Sequence, residues 1–252
     1  MPTKRVFGII LTYNCALFLP EVISKIPKEY FDIIIVSDDD SSDNTMDVAK
    51  QLGVQAFTHP HTGYGGNLKF GLNKAVEMGA DHMIEIHGDG QYDLFSVPLA
   101  IPKLNAGVDF ILGNRFYKFF QPWKDNMSLI RILGNLTLST IGRFGLWIKP
   151  LDLFPGFRAY SKRFVETIDF ANGSDDYFFS FEVIVLAKYA GLVIDSVPAR
   201  CFYNKGGHSS MNLWKGMLEI YQTPHAVLQY WLALLGWKRT ILKNQGKLSL
   251  MK

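Results

Sequence analysis

The chain predicts an α/β protein built on a mostly parallel sheet, and three observations lead there. Short apolar or β-branched runs recur along the first half. Helix-like segments separate them, which is the order of a doubly wound parallel sheet. Ile33-Ile34-Ile35-Val36 shows no in–out alternation, as expected of a strand covered on both faces. Taken in order, Val6 to Leu11 reads as a strand and Ala16 to Ile26 as a helix. Ile33 to Val36 is the second strand. Asp43 to Leu52 follows as a helix, with Ser41, Ser42 or Asp43 available to cap it. Val54 to Thr58 is a strand, Gly65 to Gly79 a helix, and His82 to Ile86 and Asp109 to Leu112 two further strands.

At 252 residues the chain fits one large domain, with or without a C-terminal appendage, and 48% hydrophobic residues suffice for a core and exclude a disordered chain. Cys15 and Cys201 have neither metal-ligand spacing nor a disulfide framework, which fits a reducing compartment. Met1 to Arg5 leads straight into a strand-like run, so no signal peptide is expected, and no apolar stretch has the length of a membrane span. The net charge of +3 belongs to the tail: residues 238–252 carry Lys238, Arg239, Lys243, Lys247 and Lys252 without an acid. Such a tail suits an anionic surface. Its apolar and aromatic neighbours favour a membrane over nucleic acid.

Two later segments share one composition. Residues 118–149 combine Lys118, Lys124, Arg131, Arg143 and Lys149 with Phe119, Phe120, Trp123, Phe144 and Trp147. This reads either as an interfacial helix or as a core helix with solvated lysines. Residues 213–236 carry Trp214, Tyr221, Tyr230 and Trp231, with Pro224 expected to break or kink the helix.

Chemistry concentrates in two clusters. In residues 84–93 an apolar strand empties into Gly88-Asp89-Gly90-Gln91. That places a carboxylate at the carboxyl edge of the sheet, where open α/β sheets bind ligands, on a turn suited to a hard divalent ion. An ordinary Asp-Gly surface turn is the competing reading. Ser37-Asp38-Asp39-Asp40-Ser41-Ser42-Asp43 crowds acids after the second strand, where they repel one another unless a cap or a ligand uses them. One can accept from a nucleobase edge while others orient ribose or metal.

Together these motifs resemble the family 2 inverting glycosyltransferases of GT-A fold, especially the polyprenyl- and dolichol-phosphate branch, over roughly residues 5–210. Leu11-Thr12-Tyr13-Asn14 is similar to the first motif of that family, with Leu11 in place of a proline. Asp38-Asp39-Asp40-Ser41 resembles Asp-Asp-Gly-Ser, with Asp40 in the glycine position. The likeness implies contacts of Thr12, Tyr13 and Asp39 with base and ribose. Gly63 to Lys69, with Gly66, resembles the glycine-rich turn that follows. His87-Gly88-Asp89-Gly90-Gln91 stands where the family has Asp-x-Asp, so Asp89 is the implied metal ligand, with Gln91 beside it and His87 as a further candidate. Arg115 resembles the arginine of Gly-Ser-Arg-Tyr, a candidate for bidentate phosphate binding. Arg131 with Asn135 resembles the Arg-x-x-Gly-Asn segment near the lipid phosphate. Asp152 to Arg158 resembles Asp-x-x-Ser-Gly-Phe-Arg, with Pro155 for serine, and Glu182 an acidic helix position near the sugar. In the last loop Lys205 stands in for the cations usual there.

The resemblance thus implies a GT-A domain over residues 1–210, with 118–149 facing membrane and acceptor, and amphipathic helices and a basic tail over 211–252. It implies a Mg²⁺- or Mn²⁺-dependent, inverting transfer from a UDP- or GDP-sugar to a polyprenyl phosphate or another lipid-linked acceptor. Asp89, Arg115, Arg131 and Glu182 are the expected catalytic residues. A peripheral or monotopic place on the cytoplasmic face of a membrane follows, without nucleic acid. Transfer to a sugar hydroxyl, with Glu182, Asp152 or Asp176 as base, and a non-catalytic nucleotide-sugar-binding protein are the alternatives.

Overall fold

The computed structural model describes residues 4–203, 213–238 and 240–246. Seven strands form one sheet: β1 Val6–Thr12, β2 Ile33–Asp38, β3 Gln55–Thr58, β4 His82–His87, β5 Phe110–Asn114, β6 Arg158–Ser161 and β7 Ile194–Pro198. Their order is β3-β2-β1-β4-β6-β5-β7. All pairs are parallel except those of β6, which runs antiparallel between β4 and β5. Between β5 and β6 the chain makes a helical excursion, over residues 121–146, and returns antiparallel. β6 has four residues and no periodicity, so the sequence showed only its flanking motif.

Nine helices flank the sheet among the described residues: α1 Leu19–Lys25, α2 Thr45–Gln51, α3 Tyr64–Glu77, α4 Val97–Asn105, α5 Gln121–Lys124, α6 Leu129–Leu146, α7 Lys162–Thr167, α8 Phe179–Ala190 and α9 Leu213–Leu234. One face of the sheet packs on α1, α2 and α4 through Val22, Ala49, Val97 and Ala100. The other packs on α3 and α8. Leu68, Leu72 and Ala75 recur at helical spacing on α3 and face that core. Gly71 lets α3 approach the sheet, since a Cβ there would stand 2.8 Å from the Ile9 side chain. α8 is buried on nearly every side, so its periodicity is weak and its partner is the whole core.

α2 begins at Thr45, where Asp43 accepts from the Thr45 N–H at 3.0 Å. Pro224 does not break α9, which stays helical on both sides of it. α9 packs against α6 and α8, and that burial outweighs the lost backbone hydrogen bond. Val227 sits over Gly145 of α6, and Trp231 Nε1 donates to the Gly145 carbonyl at 2.8 Å. The opposite stripe of α6 carries Ile130, Leu133, Ile141 and Phe144 into solvent, a few residues before Trp147 at 77% exposure. On α9, Ile220, Tyr221 and Leu228 are also exposed. No helix among the described residues is long and apolar enough to cross a membrane.

Candidate active site

Parallel strands release their chains at one edge, so the ends of β1, β2, β4 and β5 gather the motif residues there. Asp38 is a buried hub: its carboxylate accepts from Thr12 Oγ1 at 2.9 Å, Ser41 Oγ at 2.6 Å and the Ser41 N–H at 2.9 Å. Asp39 is 2% exposed. Its oxygens accept from the Thr62 and Gly63 N–H groups at 2.8 and 2.9 Å, and His61 Nδ1 lies 2.9 Å away. In this conformation Asp39 ties the 59–63 loop to β2. The loop brings the His61 ring 4.6 Å from that of Tyr13, which is half exposed, and the pair forms an open aromatic wall. Asp40 has φ 59°, the left-handed conformation that a glycine fills without strain and Asp tolerates. Asn14, at φ 53°, accepts from the Ser42 and Asp43 N–H groups. Leu11 is buried; its carbonyl receives the Gly88 N–H at 2.9 Å.

That last bond clamps the Asp89 turn to β1. A Cβ on Gly88 would meet the Leu11 carbonyl at 2.7 Å, so only glycine fits. Asp89 is exposed at the tip and accepts from the Gln91 N–H at 3.1 Å. His87 turns the other way: its Nε2 lies 3.2 Å from Glu85 Oε1, and its ring sits between those of Tyr64 and Tyr92 at 5.9 and 5.3 Å. Glu85 is fully buried in the middle of β4. It accepts from the hydroxyls of Tyr64 at 2.6 Å and Tyr160 at 2.7 Å. Burial pushes its carboxyl up, but the attraction of His87, the field of Arg158 and the Tyr160 hydrogen bond outweigh burial and hold it below the usual range. The His87 imidazole moves up correspondingly, burial opposing and Glu85 winning. With its Nε2 beside Glu85, the ring is placed to pair with that carboxylate rather than to bind an ion at the Asp89 turn. Among the described residues no three acidic, histidine or cysteine side chains converge as a metal cage. Asp89, with the Gln91 amide, fits an ion that draws its remaining ligands from a diphosphate and water.

The structure gives several predicted residues other work. Lys69 donates to the Gly173 carbonyl at 2.6 Å and to Asp175 at 2.8 Å, and the Asp175 carbonyl takes the Gly65 and Gly66 N–H groups at 2.8 and 3.3 Å. The 173–176 strap therefore covers the start of α3, where Gly66 and Lys69 were expected to meet substrate. Arg115 lies buried, bound to Asp152 at 2.7 and 2.8 Å, to Asn135, to the Phe154 carbonyl and to the Tyr203 hydroxyl. Arg131 stacks over the Tyr203 ring at 5.5 Å. Arg115, Arg131 and Asn135 thus converge, but Arg115 acts as the scaffold of the cluster. Asp152, with both oxygens on Arg115, is unsuited as a base. Arg158, at 0% exposure, bonds the Pro155 and Ser180 carbonyls, so it has no surface to offer a substrate. Its Nη2 has no partner. Glu182 accepts from the Ser174 N–H and hydroxyl at 2.7 and 2.6 Å. Burial raises its carboxyl above the usual range despite these bonds. Lys205 and Asn204 lie outside the described residues.

Sequence reading missed Glu85, Tyr64, Tyr160, His61 and Tyr203. Glu85 alone left a signal: an acid inside an apolar strand, two residues before His87 and therefore on its face of the sheet.

The mixed seven-stranded sheet flanked by helices is a GT-A fold. The chain belongs to glycosyl transferase family 2, whose family model matches residues 9–169. It is 30% identical over 224 residues to a UDP-N-acetylglucosamine–dolichyl-phosphate N-acetylglucosaminyltransferase of Methanococcus voltae, covering 81% of this chain and 88% of the relative. It is 26% identical over 235 residues to a polyprenol monophosphomannose synthase of Mycolicibacterium smegmatis, covering 87% and 86%. In fold it is similar to glucosyl-3-phosphoglycerate synthase of Mycobacterium tuberculosis, solved with Mn²⁺, UDP and glucosyl-3-phosphoglycerate. That likeness has TM-score 0.60 and 17% identity, covering 94% of this chain and 81% of the other.

Proposed function

We propose that this glycosyltransferase moves a sugar from a nucleotide-sugar, UDP-linked in the first instance, to a polyprenyl phosphate at the cytoplasmic face of a membrane, with inversion. One observation carries the reading: α6 is two-sided. Asn135 and Arg131 turn toward the Arg115 cluster at the reaction edge, while Ile130, Leu133 and Phe144 are exposed as an apolar stripe. A helix that joins a polar site to an unpartnered apolar face suits an acceptor with an anionic head and a hydrocarbon tail. The relatives named for polyprenyl- and dolichyl-phosphate acceptors support the same choice.

Tyr13 and His61 would stack the base, with Asp39 holding their loop in place. A divalent ion on Asp89 and Gln91, Mn²⁺ or Mg²⁺, would neutralise charge on the departing diphosphate. Gly88 fixes that turn against β1. Arg131 would meet the acceptor phosphate, with Arg115 and Asn135 ordering its surroundings. A phosphate monoester is ionised near neutral pH, since its second pKa is about 6, and needs no strong base. Residues 1–210 would form the catalytic unit and 211–252 would add membrane contact.

Glu182, a mostly buried acid beside the 173–176 strap whose carboxyl burial raises, favours a second reading, transfer to a sugar hydroxyl on a lipid-linked glycan, where an acceptor proton must be removed. Sugar transfer from UDP- and GDP-sugars, measured with polyprenyl phosphate, a glycolipid and soluble sugars, each with EDTA, Mg²⁺ or Mn²⁺, separates the readings. Product only with the polyprenyl phosphate is expected. Transfer confined to a soluble sugar would overturn the lipid proposal, and full activity in EDTA would overturn the ion.

A further inference from the structure

The segment that ends at Tyr203 joins two parts of the reaction edge. Residues 200–202 run against the chain that leaves the Asp89 turn. The Phe202 N–H donates to the Gln91 carbonyl at 2.8 Å and the Asp93 N–H to the Arg200 carbonyl at 3.2 Å, with an antiparallel bridge of Tyr92 and Cys201 between them. The same segment is fixed to the end of α5. Arg200 pairs with the buried Asp125 carboxylate at 2.6 Å, and the Tyr203 N–H donates to the Asp125 carbonyl at 3.0 Å. These bonds belong to the backbone and to Arg200, so exchanging the Tyr203 side chain leaves the segment anchored.

From there the Tyr203 side chain touches both arginines of the cluster. Its hydroxyl accepts from Arg115 Nη1 at 2.7 Å, and the Arg131 guanidinium lies over its ring, 5.5 Å from the centroid. The two contacts differ in kind from the one Asp152 makes. Asp152 takes Arg115 with both carboxylate oxygens and offsets its charge. A ring holds a guanidinium through its quadrupole and leaves the charge in place. Burial pushes the Tyr203 hydroxyl up to about 12, with Arg115 opposing, so near neutral pH the phenol carries no charge to offset either arginine. Arg131 stands in the first turn of α6, where its neighbours Leu129, Ile130 and Leu133 are exposed. A long side chain in such a place loses rotamer freedom on binding a phosphate unless something already holds it.

We infer that Tyr203 is a positioning residue for the acceptor: its ring holds the Arg131 guanidinium oriented and charged for the acceptor phosphate, and its hydroxyl, bonded to Arg115, fixes the ring. The inference rests on the placement of that phosphate at Arg131 in the reading above and adds what sets the arginine.

The test titrates the full chain with a soluble ten-carbon prenyl phosphate and, separately, with UDP and Mn²⁺. Tyr203→Leu, which removes the ring, should weaken the prenyl phosphate about fivefold or more, while UDP binding stays within twofold of the parent. Tyr203→Phe keeps the ring and loses only the bond to Arg115, so prenyl phosphate binding should return to within threefold of the parent. In an Arg131→Ala background Tyr203→Leu should add less than twofold, because the group it holds is gone. Equal weakening of both ligands, unrelieved in Tyr203→Phe, would mark a purely structural role and overturn the inference. Fully additive losses in the Arg131→Ala background would overturn it too. If Arg131→Ala weakens the prenyl phosphate and Tyr203→Leu does not, the inference falls and the acceptor reading stands. If Arg131→Ala leaves that binding unchanged, or the parent does not bind the prenyl phosphate, the placement at Arg131 and the inference fall together.

Discussion

Replacing Glu85 by alanine should destabilise the protein more than any other single change at the reaction edge. The side chain is fully buried and satisfies the hydroxyls of Tyr64 and Tyr160 while facing His87. It also offsets the buried Arg158 guanidinium, because burial keeps both tyrosines neutral well beyond physiological pH and leaves Glu85 as the charged group among those acting on it. Arg158 Nη2 already lacks a partner, so the arginine has no reserve. Removing one member of a buried charge pair costs about 3–5 kcal/mol. Two stranded hydroxyl donors push toward the upper end, at about 1–3 kcal/mol each before relaxation. A loss of about 4 kcal/mol corresponds to a Tm lower by roughly 8–16 °C at this chain length. Urea unfolding should show the midpoint moving at constant slope. Tyr160→Phe, which removes one hydrogen bond, should cost only about 1 kcal/mol. An alanine variant that melts within about 2 °C of the parent would refute the account of β4 as strapped by a buried carboxylate.

Three further outcomes are expected. Asp89→Ala should lower transfer at least about a hundredfold in a steady-state assay with saturating Mn²⁺, with Tm unchanged because the side chain is exposed; retained activity would remove Asp89 from the ion site. Glu182 is raised above its ordinary 4.5, so the native protein keeps a proton that the unfolded chain has lost. Stability should therefore fall as pH rises from about 4.5 through the raised value and then level, and Glu182→Gln should flatten that slope in urea midpoints taken across the range. The triple change of Ile130, Leu133 and Phe144 to serine should weaken binding to anionic vesicles at least about tenfold in a flotation assay, since each buried apolar side chain is worth about 1.5–3 kcal/mol. The three are solvent-exposed, so the melting temperature should hold; unchanged flotation would move the membrane contact elsewhere.

Local sequence determined the alternation of strands and helices, because buried β-branched runs and helical periodicity are properties of neighbouring residues. It also located the turns: Gly88-Asp89-Gly90 and the Asp38 to Ser41 run stand at strand ends as their composition implies. The tertiary structure decided which polar groups remain available. Arg115, Lys69 and Arg158 are expected from the sequence to meet substrate, yet Asp152, Asp175 and two backbone carbonyls claim their donors. β6 was invisible because a four-residue strand has no period to read, and its antiparallel direction depends on where the preceding helices leave the chain. Pro224 does not break its helix for a related reason: a propensity of a few kcal/mol yields to the burial of α9 on α6 and α8. Burial and long-range pairing join residues that are far apart along the chain, and no local pattern encodes which donor meets which acceptor.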